Sequence, residues 1–378
     1  MFKAKAIRYR LNFKQPAGTS RGTYLTRDSW FIILEDSNNP ELTGIGECAP
    51  LPSLSCDDRP DYEFQLLSVC ERINKGEELK DILFNSHTSA ERHNPEFNSG
   101  LIDFPSIRMG LETAKADLRN GGERIIYPSP FTTGEAGLPI NGLIWMGDAS
   151  FMQKQIEKKL KAGFHCIKMK IGAIDFETEF SILKAIRQRY PASDIQLRVD
   201  ANGAFPADQA LERLKRLSEL DLHSIEQPIK AGQWELMAHL AEHTPLPIAL
   251  DEELIGINRF CDKKQLLKTI NPQYIILKPS LHGGISGCNE WIELAKQMNI
   301  GWWITSALES NIGLNAIAQW TATLNNPLHQ GLGTGQLFTN NFDSPLEIRG
   351  EKLFINPAQN WKLNNLYNEG LPITFPEA

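Results

Sequence analysis

The sequence predicts an α/β protein, a modified (β/α)8 TIM barrel preceded by an α+β capping domain at its N-terminus. From about residue 138 onward, short apolar runs alternate with amphipathic helices. The eight apolar runs match the eight strands of such a barrel and lie at 140–145, 166–171, 195–199, 224–227, 247–250, 274–277, 301–305 and 330–332. Five successive runs end in charged residues, 25 to 30 residues apart. Because the carboxyl ends of barrel strands meet at one mouth, the barrel explains these charges better than a doubly wound sheet, the alternative architecture.

Two domains are expected from the length of the chain and from the change in its sequence pattern at about residue 138. We expect residues 1–130 to form the capping domain, which the segment from about 340 to 378 completes. We expect residues 131–340 to form the barrel. With 378 residues and 41% hydrophobic content, the chain is long enough to bury a large core.

The capping domain begins with strands and continues with helices. Strand-like runs occur at 7–11 and 30–34, and the region 60–120 has the pattern of helices. Two loops rich in small residues, 15–22 and 46–54, could close over a site in the barrel.

Helices fill the gaps between the barrel strands. Ser150 is placed to cap the first of them, and Gly163 is placed to end it. Apolar residues recur at helical spacing within 210–217 and within 291–298. Together with the strands between them, these helices indicate a β/α repeat.

Charge and cysteine content exclude several classes of protein. The formal net charge is −7 and no dense basic stretch occurs, so nucleic acid is not an expected partner. No apolar run approaches the roughly 20 residues of a membrane span. The six cysteines form no Cys-x-x-Cys pair, which is typical of reduced thiols. We therefore expect a cytoplasmic protein that acts on a small molecule, and the oligomeric state stays open.

Three of the charged strand ends are carboxylates, Asp200, Glu226 and Asp251, which would arrive from adjacent strands. Neighbouring carboxylates repel one another, and a hard divalent cation such as Mg²⁺ offsets the repulsion through its oxygen ligands. The pattern predicts a metal site for Mg²⁺, with Mn²⁺ as a possible substitute. A ring of ion pairs with lysines of the barrel mouth is the alternative interpretation.

The other charged strand ends are lysines. Lys168 and Lys170 lie two residues apart and so face the same side of the sheet, and Lys278 ends the sixth strand, across the barrel. Burial and nearby positive charge are expected to lower the pKa of these lysines, which would make a neutral amine available as a general base. A metal and a lysine base together suit the removal of a proton from the carbon next to a carboxylate.

This set of motifs resembles the enolase superfamily. Lys-x-Lys at 168–170 with a single lysine at 278 is similar to its muconate-lactonizing subgroup. Within that subgroup the chain most resembles the o-succinylbenzoate synthase family. The segments that carry this closer likeness are 18–22, 46–52, 108–114 and 306–310.

The resemblance implies a reaction and roles for the lysines. The reaction would be the Mg²⁺-dependent syn-dehydration of 2-succinyl-6-hydroxy-2,4-cyclohexadiene-1-carboxylate to o-succinylbenzoate, a step of menaquinone biosynthesis. Lys170 would be the base that makes both proton transfers on one face. Lys278 would stabilise the enolate from the other side of the substrate, and Lys168 would support Lys170.

The resemblance also implies the metal ligands. Asp200, Glu226 and Asp251 would hold Mg²⁺. Asn202 and Glu252 would lie behind these ligands and orient them.

The same resemblance and the predicted loops suggest residues that contact the substrate. Four follow the seventh strand and two lie in the loops of the capping domain: Ser306, Glu309, Ser310, Asn311, Ser20 and Pro50. For the four after the strand, an ordinary helix cap is an equally good interpretation. The glycines of 331–335 could cradle a phosphate or could allow close backbone packing beside a ligand.

Other functions remain open on the same scaffold. N-succinylamino acid racemase and muconate cycloisomerase activities would use the same lysines and metal. A dipeptide epimerase is disfavoured because 331–335 lacks Asp-x-Asp, and a mandelate-racemase-like enzyme is disfavoured because 302–306 lacks a histidine. A barrel that binds a carboxylate without catalysis is the alternative outside enzymes, although no ligand or base is missing.

Overall fold

A computed structural model describes residues 2–19, 22–84, 101–145 and 148–375. The N-terminal part is an antiparallel sheet with helices packed against it. Its elements are β1 (Phe2–Thr19), β2 (Gly22–Asp36), β3 (Asn39–Cys48), α1 (Tyr62–Asn74), α2 (Leu79–Phe84) and α3 (Pro105–Arg119). A short strand, β14 (Leu371–Pro372), pairs with the free edge of β1. The strand order is therefore β14, β1, β2, β3.

β1 and β2 form one long hairpin. Their pairing is regular as far as Asn12, shifts at a bulge, and resumes with Ala17 opposite Tyr24. The expectation of a loop at 15–22 is therefore wrong for most of the residues of this segment that the structure describes, because those beyond the bulge pair again between β1 and β2. Ser20, which was expected at the substrate, lies outside the described residues.

The sheet of the cap packs directly on helix α3. A Cβ atom at Gly46 of β3 would lie 1.8 Å from the carbonyl oxygen of Gly110 in α3, so glycine permits this close approach. Around the contact, Ile32, Leu34 and Leu111 are fully buried. Their burial supplies much of the apolar core that holds the helix layer to the sheet.

The barrel consists of seven parallel strands that follow one another in sequence order. They are β5 (Gly142–Ile144), β6 (Cys166–Lys170), β7 (Gln196–Asp200), β8 (Ser224–Glu226), β9 (Ile248–Leu250), β10 (Tyr274–Leu277) and β11 (Gly301–Ile304). The helices between and after them are α4 (Ala149–Lys161), α5 (Phe176–Arg189), α6 (Ala210–Ser218), α7 (Trp234–His243), α8 (Phe260–Ile270), α9 (Gly284–Gln297) and α10 (Asn311–Thr323). The predicted fold class is confirmed.

The barrel closes without a regular eighth strand. The expected strand at 330–332 makes single parallel bridges instead, from Gln330 to Ile140 on one side and from Gly331 to Thr305 on the other. A Cβ atom at Gly331 would lie 2.1 Å from Thr305 Oγ1, so a larger residue would hold the two segments apart. The prediction was wrong about the strand and right about the segment that closes the barrel.

The first barrel helix begins differently from the prediction. Asp148, not Ser150, is its N-cap: the Asp148 carboxylate accepts a hydrogen bond of 2.9 Å from the backbone N–H of Phe151, and Ser150 lies in the first turn. Gly163 follows the last turn with φ of +84°, as its predicted role at the helix end requires. Among the described residues, no helix is both long enough and apolar enough to cross a membrane.

The segment after the barrel contacts both the barrel and the cap. β12 (Leu346–Arg349) and β13 (Lys352–Ile355) form a hairpin that pairs with β4 (Leu138–Pro139), and α11 (Asn364–Glu369) precedes β14. The ring of Phe342 lies 5.1 Å from that of Tyr9 and 5.4 Å from that of Phe31. These contacts bury the returning segment against the cap sheet.

Candidate active site

Charged side chains from five neighbouring strands meet at one end of the barrel. They lie on β6, at the ends of β7 and β8, and directly after β9 and β10: Lys168, Lys170, Asp200, Glu226, Asp251 and Lys278. In the sheet, Lys170 lies opposite Asp200, and Asp200 lies opposite Glu226. The structure therefore brings together the residues that the sequence spacing predicts to converge.

Ion pairs connect the lysines to the carboxylates. Lys168 Nζ lies 2.9 Å from Asp200 Oδ2 and 2.8 Å from Glu226 Oε2. Lys278 Nζ forms an ion pair with Asp251 Oδ2. The side chains of Asp200, Glu226 and Asp251 are at most 2% exposed, so the lysines offset most of the cost of burying them.

Lys170 has a different pair of partners. Its Nζ lies 3.0 Å from Asp200 Oδ2 and 2.7 Å from Asn202 Oδ1. Asn202 in turn donates through Nδ2 to Glu252 Oε1 at 2.9 Å, and its backbone N–H donates to Asp200 Oδ1 at 3.0 Å. Asn202 thus links Lys170 to Glu252 and to Asp200, whereas the predicted role of Asn202 and Glu252 behind the metal ligands stays a prediction.

Burial and charge act in opposite directions on the carboxylates. Burial by itself raises the pKa of Asp200, but Lys168 and Lys170 outweigh it and bring the pKa well below its usual range. For Glu226, burial and the charge of Asp200 together raise the pKa to about 8. Burial also raises the pKa of Asp251.

The expectation of lowered lysine pKa values is wrong for two of the three lysines. Burial lowers the pKa of Lys278, but Asp251 and Glu252 outweigh it and raise the pKa to about 12. The pKa of Lys168 is likewise raised, because Asp200 and Glu226 outweigh burial. Both side chains are therefore ammonium ions at neutral pH.

The three carboxylates fit a divalent cation by their chemistry. Within the described residues, no three acidic, imidazole or thiol groups are arranged to share an ion as they stand, because ammonium groups contact the carboxylates. Asp251 Oδ1 and Glu252 Oε2 are buried oxygens with no hydrogen-bond partner in the described part of the chain. Such hard oxygen donors are those that Mg²⁺ and Mn²⁺ take. Asp200, Glu226 and Asp251 could therefore hold such an ion.

A cavity lies above this charged group. On the barrel side, the cavity is lined by side chains of the charged network. It is also lined by neutral residues that follow β11 and the segment at 330–332 that closes the barrel, among them Thr305, Ser306, Leu308 and Thr334. The cap contributes Tyr24, Leu51 and Leu54. The cavity is thus enclosed jointly by the barrel mouth and the cap.

Comparison with known proteins identifies the family of this chain. The model of the enolase C-terminal domain-like family matches residues 152–357, which is more than half of the chain. The chain belongs to the enolase superfamily. Members of this superfamily are metal-dependent enzymes.

Two curated proteins of the superfamily align with most of the chain. The o-succinylbenzoate synthase of Desulfotalea psychrophila is 46% identical over 92% of this chain and 97% of its own length. The o-succinylbenzoate synthase of Bacillus subtilis is 27% identical over 82% of this chain and 81% of its own length. The crystal structure of MenC from Desulfotalea psychrophila has a TM-score of 0.80 at 44% identity, and covers 94% of this chain and 99% of its own.

Three residues that were expected at the substrate do not line the cavity. Glu309 is 1% exposed and accepts hydrogen bonds from Ser280 Oγ and from the backbone N–H of Ala307. Ser310 is the buried N-cap of α10, and Asn311 bonds to the carbonyl of Phe342 and lines a separate groove. These side chains point back into the protein, because the turn after β11 directs them toward the cap and the C-terminal segment. For Ser310 the helix-cap interpretation is confirmed.

Two other expected contacts have a mixed outcome. Ser306 lines the cavity, where its hydroxyl lies 2.6 Å from that of Thr334. Pro50 does not line it, because its carbonyl faces Arg27; the neighbouring Leu51 lines the cavity instead.

Sequence reasoning missed several residues of the cavity. Leu143 of β5 lines it, as do Asn141 and Trp145, which flank this strand, and the three alternate with residues that face outward. That alternation is visible in the sequence, but residues of both faces are apolar or neutral, so no charge marks them. Gly331 and Gly333 also line the cavity, and at Gly331 close backbone packing explains the glycine.

Gln227 is a further missed residue, beneath the carboxylates. Its Oε1 accepts hydrogen bonds of 3.2 Å from the backbone N–H groups of Asp251 and Glu253, and its Nε2 donates to Glu253 Oε2 at 3.0 Å. It therefore links the end of β8 to the backbone that carries Asp251. Gln227 directly follows Glu226 in the sequence, although the sequence alone does not indicate which backbone it holds.

Proposed function

We propose that this chain is an o-succinylbenzoate synthase. It would remove water from 2-succinyl-6-hydroxy-2,4-cyclohexadiene-1-carboxylate and so produce o-succinylbenzoate for menaquinone biosynthesis. The observation that carries the proposal is the pair of lysines, Lys170 and Lys278, that face one cavity from β6 and from the end of β10, four strands apart. The 46% identity with a synthase over 92% of the chain supports this substrate over others handled by the same fold.

Lys170 would perform both proton transfers. It accepts the proton from C1, the ring carbon that bears the carboxylate, and the electron pair of that C–H bond passes onto the carboxylate to form an enolate. The enolate electrons then form the double bond between C1 and C6 as the C6 hydroxyl departs, and Lys170 returns the proton to the leaving oxygen. One C–H and one C–O bond break, water is released, and the ring becomes aromatic. Asp200 and Asn202, at 3.0 and 2.7 Å, orient the amine for this task.

Lys278 would remain charged throughout. Its pKa of about 12 keeps it an ammonium ion at neutral pH, and its position across the cavity lets it stabilise the negative charge that develops when C1 loses its proton. Asp200, Glu226 and Asp251 would hold Mg²⁺, with Mn²⁺ as a substitute. When bound, this cation would stabilise the same negative charge on the substrate carboxylate.

The cap would exclude water from the reacting ring. We assign it to residues 1–130 and to the segment from about 340 to 378. Its contribution to the cavity is Tyr24, Leu51 and Leu54, an aromatic and two apolar side chains. Apolar cover strengthens the electrostatic interactions inside the site and prevents side reactions of the enolate.

A direct assay tests the proposal. Purified protein is supplied with the cyclohexadiene substrate and Mg²⁺, and formation of o-succinylbenzoate is followed by absorbance and chromatography. We expect turnover with Mg²⁺ or Mn²⁺ and its loss on addition of a chelator. Exchange of the α-proton of N-succinylamino acids and lactonisation of cis,cis-muconate are measured in parallel.

Three results would contradict the proposal. Efficient racemisation or lactonisation without dehydration would assign another reaction to the scaffold. Binding of o-succinylbenzoate without any turnover would favour the non-catalytic barrel. Undiminished dehydration after complete metal removal would exclude the proposed role of the carboxylates.

A further inference from the structure

A buried arginine of the cap joins three segments around the cavity. Arg27 lies on β2 and is 2% exposed. Its Nη1 donates to the carbonyl oxygens of Ala307 at 2.5 Å and Leu308 at 2.6 Å, and its Nη2 donates to that of Pro50 at 3.0 Å. One guanidinium therefore ties the cap loop before Leu51 to the barrel loop after β11.

The barrel loop held by Arg27 has a strained backbone. Leu308 has φ of +63°, a region that branched side chains rarely adopt and that persists only where the surroundings impose it. Leu308 also lines the cavity. Its carbonyl group is one of the two in this loop that Arg27 holds.

Two buried carboxylates also hold this loop. Glu309 accepts from the backbone N–H of Ala307 at 2.7 Å. Glu47 of β3 accepts from the backbone N–H groups of Ser310 at 3.0 Å and of Gly313 at 2.9 Å. The Arg27 charge faces both carboxylates, which offsets part of its burial. The loop is thus fastened to the cap through Arg27 and Glu47, and to the barrel through Glu309, which also accepts from Ser280 Oγ.

We propose that Arg27 is a positioning residue that sets the shape of the ligand-binding wall. It does so by holding Leu308 in its left-handed conformation and by fixing the cap loop of Leu51 against the barrel loop. The inference rests on the proposed function, since o-succinylbenzoate is the ligand used to test it. Arg27 does not line the cavity, so its effect is transmitted through the backbone carbonyls.

The test compares two substitutions of Arg27 with a matched control. Arg27→Lys keeps the charge but replaces the planar fork by a single ammonium group, and Arg27→Met removes the charge. The control is Glu112→Gln: Glu112 of α3 is also a buried contact between cap and barrel, to the N-terminus of α9, and it does not line the cavity. Each variant is assayed for product affinity by calorimetry with Mg²⁺, for kcat and KM, for Mg²⁺ affinity, and for amide hydrogen exchange of residues 305–310.

We expect Arg27→Lys to raise the Kd of the product and the KM by about tenfold or more, with kcat changed less than about threefold, because a misplaced wall weakens binding of substrate and product together. Exchange of residues 305–310 becomes faster, while Mg²⁺ affinity stays as in the unchanged protein. Glu112→Gln leaves product affinity and loop exchange unaltered. If Arg27→Met does not fold, Arg27→Lys carries the test alone.

Two outcomes overturn the inference. One is a Kd and a loop exchange in Arg27→Lys that match those of the unchanged protein. The other is an equal loss in Glu112→Gln, which would mean that any loosening of the cap has the same effect. Neither outcome touches the proposed function, which fails only if the unchanged protein neither binds o-succinylbenzoate nor forms it.

Discussion

The two halves of the barrel mouth are built by different means. From β6 to β10, the inward-facing strand ends carry charged side chains that contact one another directly, at distances such as 2.9 Å between Lys168 and Asp200. From β11 to the closing segment, the wall carries neutral residues such as Thr305, Ser306 and Thr334, and the backbone after them is held by the cap. On the proposed function, the first half would supply groups that move and stabilise charge, and the second would supply shape. Substitutions in the charged half should therefore reduce kcat or metal binding, and substitutions around the neutral half should reduce ligand affinity.

The largest expected effect belongs to the charged half. Lys170→Ala should lower kcat by at least about 10³-fold, because a general base supplies about 10²–10⁴-fold and this one acts twice. Product affinity should change much less, since Lys170 acts on the reacting proton. Steady-state kinetics and calorimetry measure the two effects, and an unchanged melting temperature shows that the fold is kept. Exposed Lys154 provides the control, Lys154→Ala. A kcat near that of the unchanged protein would locate the base elsewhere.

The second-largest expected effect is on metal binding, which should distinguish the charged half of the mouth from the neutral half. Glu226→Gln removes one negative charge at constant size and should weaken Mg²⁺ binding by about tenfold to a hundredfold, since carboxylate oxygens are the ligands this ion prefers. Glu235→Gln, on the exposed face of α7, is the control. Calorimetric titration of the two variants with Mg²⁺ reads the result directly. Equal affinity in Glu226→Gln and in the control would remove Glu226 from the ligand set.

A buried carboxylate of the cap sharpens the contrast with those of the barrel. Asp57 accepts hydrogen bonds from Ser106, and burial raises its pKa from 3.8 to about 6, whereas the lysines around Asp200 lower the pKa of that residue. Because the folded pKa of Asp57 is raised, its contribution to stability is present below about pH 4 and is lost as the pH rises through about 6.

Asp57→Asn should remove this loss. The free energy of unfolding of the variant, relative to the unchanged protein, should rise by on the order of 2 kcal/mol between pH 4 and pH 7. Urea unfolding at several pH values measures the difference, with exposed Asp262→Asn as the control. If the difference in free energy of unfolding between the variant and the unchanged protein does not change with pH, the pKa of Asp57 is not raised in the folded protein.

The smallest expected effect concerns a residue of the cap that adds to the neutral lining of the cavity. Tyr24 lines the cavity and donates its hydroxyl to the carbonyl oxygen of Pro52 at 2.7 Å. Tyr24→Phe removes this one bond and should raise the product Kd by roughly twofold to fivefold, with kcat unchanged, because a single neutral hydrogen bond contributes about 1 kcal/mol. A fall in kcat at constant affinity would contradict the assignment of shape to this half.

Much of the fold could be predicted because its signals are local. The repeat of apolar runs and amphipathic helices depends on residues within one element, and each charged strand end follows its own run. The exceptions are instructive. The segment at 330–332 has the pattern of a strand, yet Gly331 packs so closely on Thr305 that single bridges take the place of a ladder. The bulge after Asn12 similarly depends on the pairing of two strands, which no single segment reveals.

By itself, the sequence determined the charged half of the mouth, because a charge at the end of a buried strand is conspicuous and the parallel barrel brings all strand ends to one side. Only the tertiary structure decided the neutral half. Glu309 and Ser310 look like substrate contacts in the sequence, but they bond to Ala307 and Glu47. The carbonyl oxygen of Leu308 accepts from Arg27, which is about 280 residues away in the chain. Hydrogen bonds from side chains to distant backbone groups leave no periodic or compositional trace, so the wall of the cavity becomes visible only when the cap and the barrel are seen together.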